Sequence, residues 1–126
     1  MTDNTPTPGT VGWLDLTVAD ASGVRDFYEA VVGLTPSGID MGGYEDFCMT
    51  PPSADAPVCG VCHARGGNEG LPPVWVPYFI VEDIDAGVAA CEARGGETLT
   101  PIKSMGDARY CVIRDPAGAA CALYQP

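Results

Sequence analysis

Apolar and polar residues alternate along Val11-Gly-Trp-Leu-Asp-Leu-Thr-Val18 and again along Trp75-Val-Pro-Tyr-Phe-Ile-Val81. A period of two predicts a strand with unlike faces in each segment. After each strand comes an aspartate, Asp20 or Asp83, followed by apolar residues at helical spacing: Val24, Phe27, Tyr28, Val31 and Val32 first, then Ile84, Val88 and Cys91. The aspartates are suited to capping a helix N-terminus, and Gly33 and Gly95-Gly96 stand where helix C-caps are expected. Three further strands are predicted after each helix, near 36–41, 44–50 and 57–64, and near 97–103, 108–114 and 119–125. Asp115-Pro-Ala-Gly118 supplies a turn before the last, and residues 66–73 read as a linker.

The two halves repeat one another. Val18-Ala-Asp20 returns as Val81-Glu-Asp83, and the same displacement pairs Leu16 with Phe79, Glu29 with Glu92, Ala30 with Ala93, Gly33 with Gly96 and Cys48 with Cys111. One residue of slippage pairs Cys59-Gly-Val with Cys121-Ala-Leu. A duplicated βαβββ unit follows. The expected fold is α+β, one domain over 11–126 with modules at about 11–65 and 74–126, behind a disordered tail at 1–10.

Composition narrows the function. Six basic residues against seventeen acidic ones leave a net charge of −11, which does not suit binding to a phosphate backbone, so nucleic acid is excluded as a partner. The longest apolar run, Val74 to Val81, is interrupted by Pro77 and falls far short of the ~20 residues that span a bilayer. Residues 1–10 carry neither the basic nor the apolar region of a signal peptide, and the expectation is a cytoplasmic protein without a membrane partner.

Six cysteines could form a disulfide framework, but they sit within apolar runs such as Tyr-Cys111-Val-Ile, where a thiol behaves as a small hydrophobe. Reduced thiols are expected. Cys59-Gly-Val-Cys62-His63 matches the C-x-x-C-H pattern of haem attachment, yet it lies on a predicted strand and lacks an export signal. A zinc site there is opposed by strand geometry, which turns Cys62 and His63 to opposite faces.

Trp13-Leu-Asp-Leu-Thr-Val-Ala-Asp20, Phe27-Tyr28 and Gly33-Leu34 at the opening, with Asp115-Pro-Ala-Gly-Ala119 and Leu123 at the close, resemble the glyoxalase / bleomycin-resistance / extradiol-dioxygenase (vicinal oxygen chelate) superfamily over residues 11–125. The resemblance implies two βαβββ modules forming curved mixed sheets around a cup that holds a metal or an organic ligand, commonly within a dimer. The positions that hold metal in that family correspond here to Trp13, Gly60, Val76 and Ala122. None offers a lone pair to a divalent cation, so no metal and no other cofactor are expected.

Alternation then assigns the cup. If Trp13 faces it, Asp15 and Thr17 do too, with Gly60 and Cys62 on a neighbouring strand. In the second module Val76, Tyr78, Ile80, Tyr110, Val112, Arg114, Ala120, Ala122 and Tyr124 are placed there, and the repeat displacement adds Phe47 and Met49. The candidate ligand-binding residues are Trp13, Asp15, Phe47, Cys62, Tyr78, Tyr110, Arg114 and Tyr124, with Asp15 the one candidate for a catalytic base. The leading reading is a homodimeric, metal-independent protein that binds a hydrophobic or aromatic small molecule. Two alternatives stand beside it. One is a lyase, isomerase or dioxygenase using atypical metal ligands or Asp15 as a metal-free base, and the other is a protein-interaction accessory domain.

Overall fold

A computed structural model describes residues 6–126. The chain divides into two compact units, Leu14–Trp75 and a second that joins Val76–Pro126 to the N-terminal residues as far as Trp13. No described helix is long and apolar enough to cross a membrane.

In the first unit, strand β1 (Val11–Val18) leads to helix α1 (Ala21–Val32) and then to β2 (Thr35–Asp40), β3 (Glu45–Thr50) and β4 (Cys59–His63). The order is β2-β3-β4-β1, with β1 and β4 parallel and the other pairs antiparallel. Asp20 caps α1 by accepting the Gly23 N–H at 3.0 Å. At the other end Gly33 takes φ +85°, a left-handed conformation that only glycine adopts without strain. Ala21 on α1 joins Leu34, Phe47, Met49, Cys59 and Val61 in a core against which Val18, Val24, Tyr28 and Trp75 pack. The predicted apolar stripe of α1 is wider than the part buried: Phe27, Val31 and Val32 remain more than half exposed, at 56%, 63% and 55%. Trp75 is drawn onto α1, its indole N–H donating to the Tyr28 hydroxyl at 3.0 Å.

The second unit repeats the scheme with β5 (Trp75–Ile80), α2 (Ile84–Ala93), β6 (Glu97–Thr98), β7 (Lys103–Met105), β8 (Ala108–Arg114) and β9 (Ala120–Gln125). β5 and β9 are parallel, β9 and β8 antiparallel, and β6 and β7 both pair with β8. Asp83 caps α2 through the Ala86 N–H at 3.1 Å. Ile84, Cys111, Ile113 and Leu123 form the core beneath α2, with Val88, Cys91, Ile102 and Cys121 against it.

Two expectations need correcting here. The single strand at 97–103 is two, because Pro101 has no N–H to donate and the chain bulges. The N–H groups of Leu99 and Thr100 both reach the Val112 carbonyl, and the Thr100 hydroxyl accepts the Val112 N–H at 3.0 Å. Of the disordered tail expected at 1–10, residues 1–5 lie outside the described residues. Thr7–Thr10 form a hydrogen-bonded turn, and both Gly9 and Thr10 bond to the backbone of Ile80 at 2.8 Å.

Candidate functional site

Each unit has one sheet face covered by its helix and one turned away from it, and the candidate residues are read on the second. In the first unit the register aligns Asp15 with Gly60 and Thr17 with Cys62 across β1 and β4, and Gly60 with Cys48 across β4 and β3. Paired residues share a face. Asp15, Thr17, Cys48, Gly60 and Cys62 therefore lie together, opposite the core beneath α1.

Phe47 and Met49, expected among them, are on the other face. Both are core residues of the α1 side, Phe47 at 6% and Met49 at 0% exposure, and the Arg25 guanidinium stacks 4.5 Å from the Phe47 ring centre. The cause is a change of spacing between the repeats. Asp15 and Tyr78 are 63 residues apart, but their partners Gly60 and Ala122 are 62 apart, and the next partners, Cys48 and Val112, are 64 apart. Cys48 thus stands where Val112 stands, not where Cys111 does. A slip of one residue moves a strand's whole side-chain set to the opposite face.

This face is acidic and partly buried: Thr17 and Asp46 are buried, while Asp15, Cys48 and Cys62 are half-buried. Asp46 is buried at 5% exposure, accepts the His63 backbone N–H at 2.8 Å and receives the Cys62 thiol. Burial, with the charges of Asp15 and Asp46, pushes the Cys62 thiol well above its ordinary range. Cys48 and Cys59 are raised too, by burial first and then by Asp15. A thiol held protonated this way is a hydrogen-bond donor and a poor nucleophile or metal ligand. His63 turns to the α1 side, between Tyr44 and Phe47, with Nδ1 buried and 3.5 Å from Asp46 Oδ1 but not aligned for a hydrogen bond.

In the second unit the register aligns Tyr78 with Ala122 and Ile80 with Tyr124 across β5 and β9, and Tyr124 with Tyr110, Ala122 with Val112 and Ala120 with Arg114 across β9 and β8. Tyr78, Tyr110, Arg114 and Tyr124 are together on the face averted from α2, as the alternation predicts. The Tyr78 and Tyr110 rings lie 6.2 Å apart, inclined by 35°. Trp13 belongs to this unit and occupies the side of β1 that Asp15 continues. Arg114 bonds Glu97 at 2.6 Å, so its charge is compensated within the unit.

Besides Cys48, two residues of these faces escaped the sequence reading. Lys103 lies directly across from Tyr110 on β7. The Gly106-Asp107 turn signal would have found it, because folding the chain there pairs Met105 with Ala108 and hence Lys103 with Tyr110. Asp46 had no comparable signal, since its importance comes from a strand end seventeen residues away. All six cysteines carry free thiols. Among the described residues no group of three or more His, Cys, Asp or Glu side chains is placed to hold a metal ion.

With two βαβββ units in this arrangement, the chain belongs to the Glyoxalase/Bleomycin resistance protein/Dioxygenase superfamily, whose model matches residues 10–123. It is 35% identical over 122 residues to "Putative glyoxylase CFP32" of Mycobacterium tuberculosis, covering 93% of this chain and 46% of that protein. It is 32% identical over 130 residues to the anthracycline biosynthesis protein DnrV of Streptomyces peucetius, covering 94% and 47%. The chain therefore spans about half the length of these relatives. Among solved structures, methylmalonyl-CoA epimerase from M. tuberculosis superposes with a TM-score of 0.60 at 16% identity, over 99% of this chain and 93% of that one. The Mn(II)-bound glyoxalase from Novosphingobium aromaticivorans also gives 0.60, at 18% identity over 94% and 39%. At such identities the likeness is one of fold.

Proposed function

We propose that this chain is a metal-independent small-molecule-binding protein of the glyoxalase/bleomycin-resistance type, taking an aromatic or hydrophobic ligand on the face formed by Tyr78, Tyr110 and Tyr124. The observation that carries the reading is the chemistry of the positions that would hold the family's metal. They present an indole (Trp13), a hydrogen (Gly60), an isopropyl group (Val76) and a methyl group (Ala122), a donor set that does not fit a divalent cation. Val76 and Ala122 are buried, and the half-buried rings of Tyr78, Tyr110 and Tyr124 near them suit stacking against a flat ligand. A relative named for anthracycline biosynthesis supports an aromatic ligand class. We further propose a cytoplasmic homodimer, supported by the exposed apolar side of α1 at Phe27, Val31 and Val32.

Elemental analysis of protein purified without chelator tests the reading first, beside a melting scan with nickel, zinc, iron and manganese. Sub-stoichiometric metal and an unmoved Tm are expected, together with a rise in Tm on adding fused-ring aromatics that Tyr110→Ala abolishes. Stoichiometric metal would overturn the reading. Turnover of a bound aromatic, lost in Asp15→Asn, would replace it with a metal-free enzyme. Light scattering on the chain tests the dimer, and a monomer at micromolar concentration removes it.

A further inference from the structure

The core beneath α2 is closed, but the flank of α2 is not filled as the flank of α1 is. The displacement that pairs the capping aspartates Asp20 and Asp83 also pairs Val24, Phe27, Tyr28 and Val31 with Gly87, Ala90, Cys91 and Arg94. Spaced by three or four residues, these positions share one side of each helix. On α1, Val24 and Tyr28 pack against the first core, and Trp75 backs Tyr28 with ring centres 5.2 Å apart. On α2 the same positions hold a glycine and a cysteine, and a cavity of about 270 Å³ opens there. Ile113, Leu123 and Pro116 line it together with the stripe of α2.

The lining is apolar apart from two charged residues, Asp115 and Arg94. Asp115 is satisfied within its own turn, where Oδ1 accepts the Ala117 and Ala119 N–H groups at 2.8 and 3.0 Å. Every other arginine of the chain is engaged. Arg25, Arg109 and Arg114 pair with carboxylates, and Arg65 stacks 4.2 Å from the Tyr44 ring centre. The Arg94 guanidinium makes no hydrogen bond or ion pair among the described residues; only its backbone N–H is used, by Ala90 and Cys91. A cation suits the negative end of a helix dipole, which accounts for a basic residue at this position. That role leaves the guanidinium donors open to a two-oxygen acceptor.

We propose that this cavity is a second ligand site, on the helix side of the unit, that takes a small monocarboxylate with an apolar body about the size of one ring. The body occupies the space that valine and tyrosine side chains fill along α1, and the carboxylate pairs with Arg94. The volume lies just below the range of drug-sized pockets, which limits the ligand to that size. Ile113 and Leu123 alternate with Val112 and Ala122 along β8 and β9, so the cavity and the tyrosine face lie on opposite sides of one sheet and the two sites are independent. The net charge of −11 and the nearby Asp115 both oppose an anion here. A measured preference for a carboxylate must therefore come from Arg94.

Chemical-shift titration of ¹⁵N-labelled protein with 3-phenylpropanoate and its neutral counterpart 3-phenylpropan-1-ol tests the site. The amide signals of Gly87, Cys91 and Gly96 should move with both, and the acid should bind about ten-fold more tightly, as one charge-assisted contact implies. Arg94→Gln should remove that preference and leave the alcohol's affinity unchanged. Gly87 is a poor place from which to fill the cavity, since a Cβ there would stand 3.2 Å from Leu123 Cδ1. Ala90→Leu fills it from an exposed helical position and should abolish binding of both probes with far-UV dichroism unchanged. The acid should also slow alkylation of Cys91 by iodoacetamide, read by peptide mass mapping. Unmoved amides at Gly87, Cys91 and Gly96, equal affinities for the two probes, or a preference surviving in Arg94→Gln overturn the proposal. Binding that is kept in Ala90→Leu and lost in Tyr110→Ala would move the acid to the tyrosine face and overturn it equally.

Discussion

The two units share a plan but not a chemistry. Averted from its helix, the first carries Asp15, Thr17, Asp46, Cys48 and Cys62; the second carries Tyr78, Tyr110, Tyr124 and Lys103 over Val112 and Ala122. Their helix-covered faces stay alike, each a small apolar cluster beneath a helix started by an aspartate cap. Packing constrains the covered faces in the same way in both copies, because each must fill the space under a helix at close-packed density. The averted faces pack under no helix of their own unit and have diverged into a partly buried acid–thiol cluster and a set of half-buried tyrosines over buried Val112 and Ala122. Duplication thus preserves what the fold needs and releases what a ligand can use.

The sharpest way to break this contrast is to exchange faces by mutation. Phe47→Ala, on the covered side of the first unit, should lower unfolding stability by about 3–5 kcal/mol in urea titration and leave the affinity of the folded protein for fused-ring aromatics unchanged. A large affinity change with intact stability would put Phe47 back on the ligand face. Tyr110→Ala should do the reverse, weakening aromatic binding several-fold or more at modest stability loss. Asp46→Ala comes next, at about 1–3 kcal/mol, since it strips the His63 N–H of its acceptor in a buried setting.

Alkaline titration tests both units together. The thiols of Cys48, Cys59, Cys62, Cys111 and Cys121 are all raised by burial, Cys111 to about 11. A raised folded-state pKa means stability that is complete below the unfolded value of 9.0 and lost as pH climbs through the folded one. Lys103, lowered by burial, acts in the opposite sense, but one group does not offset five. Denaturant midpoints should fall between pH 9.0 and about 11 and beyond, and Cys62→Ala should flatten that slope. The smallest effects are Asp20→Ala and Asp83→Ala, about 1 kcal/mol each by loss of one cap bond. Equal losses are expected, because the caps are the part of the duplication that has not diverged.

Much of the fold was legible before any coordinate. Period-two segments gave β1 and β5, helical spacing and capping aspartates gave α1 and α2, and the Asp115-Pro-Ala-Gly118 turn separated β8 from β9. The faces around Tyr78, Tyr110 and Tyr124 followed from alternation within single strands. Phe47 failed because its face was inferred by carrying a displacement from one repeat to the other. Strand identity survives such a transfer, but side-chain direction does not survive a change of one residue in loop length.

Sequence by itself determined the local terms: where strands and helices begin and end, and that the chain is a duplication. Those depend on residues near one another in the chain, whose periodicity and capping act over one or two turns. Tertiary structure alone decided which residues are neighbours across strands. It set Lys103 against Tyr110, brought Asp46 to the N–H of His63, paired Arg114 with Glu97, and turned Phe47 into the core. Register is fixed by the combined packing of a whole sheet against its helix, a sum over distant residues that no single segment encodes.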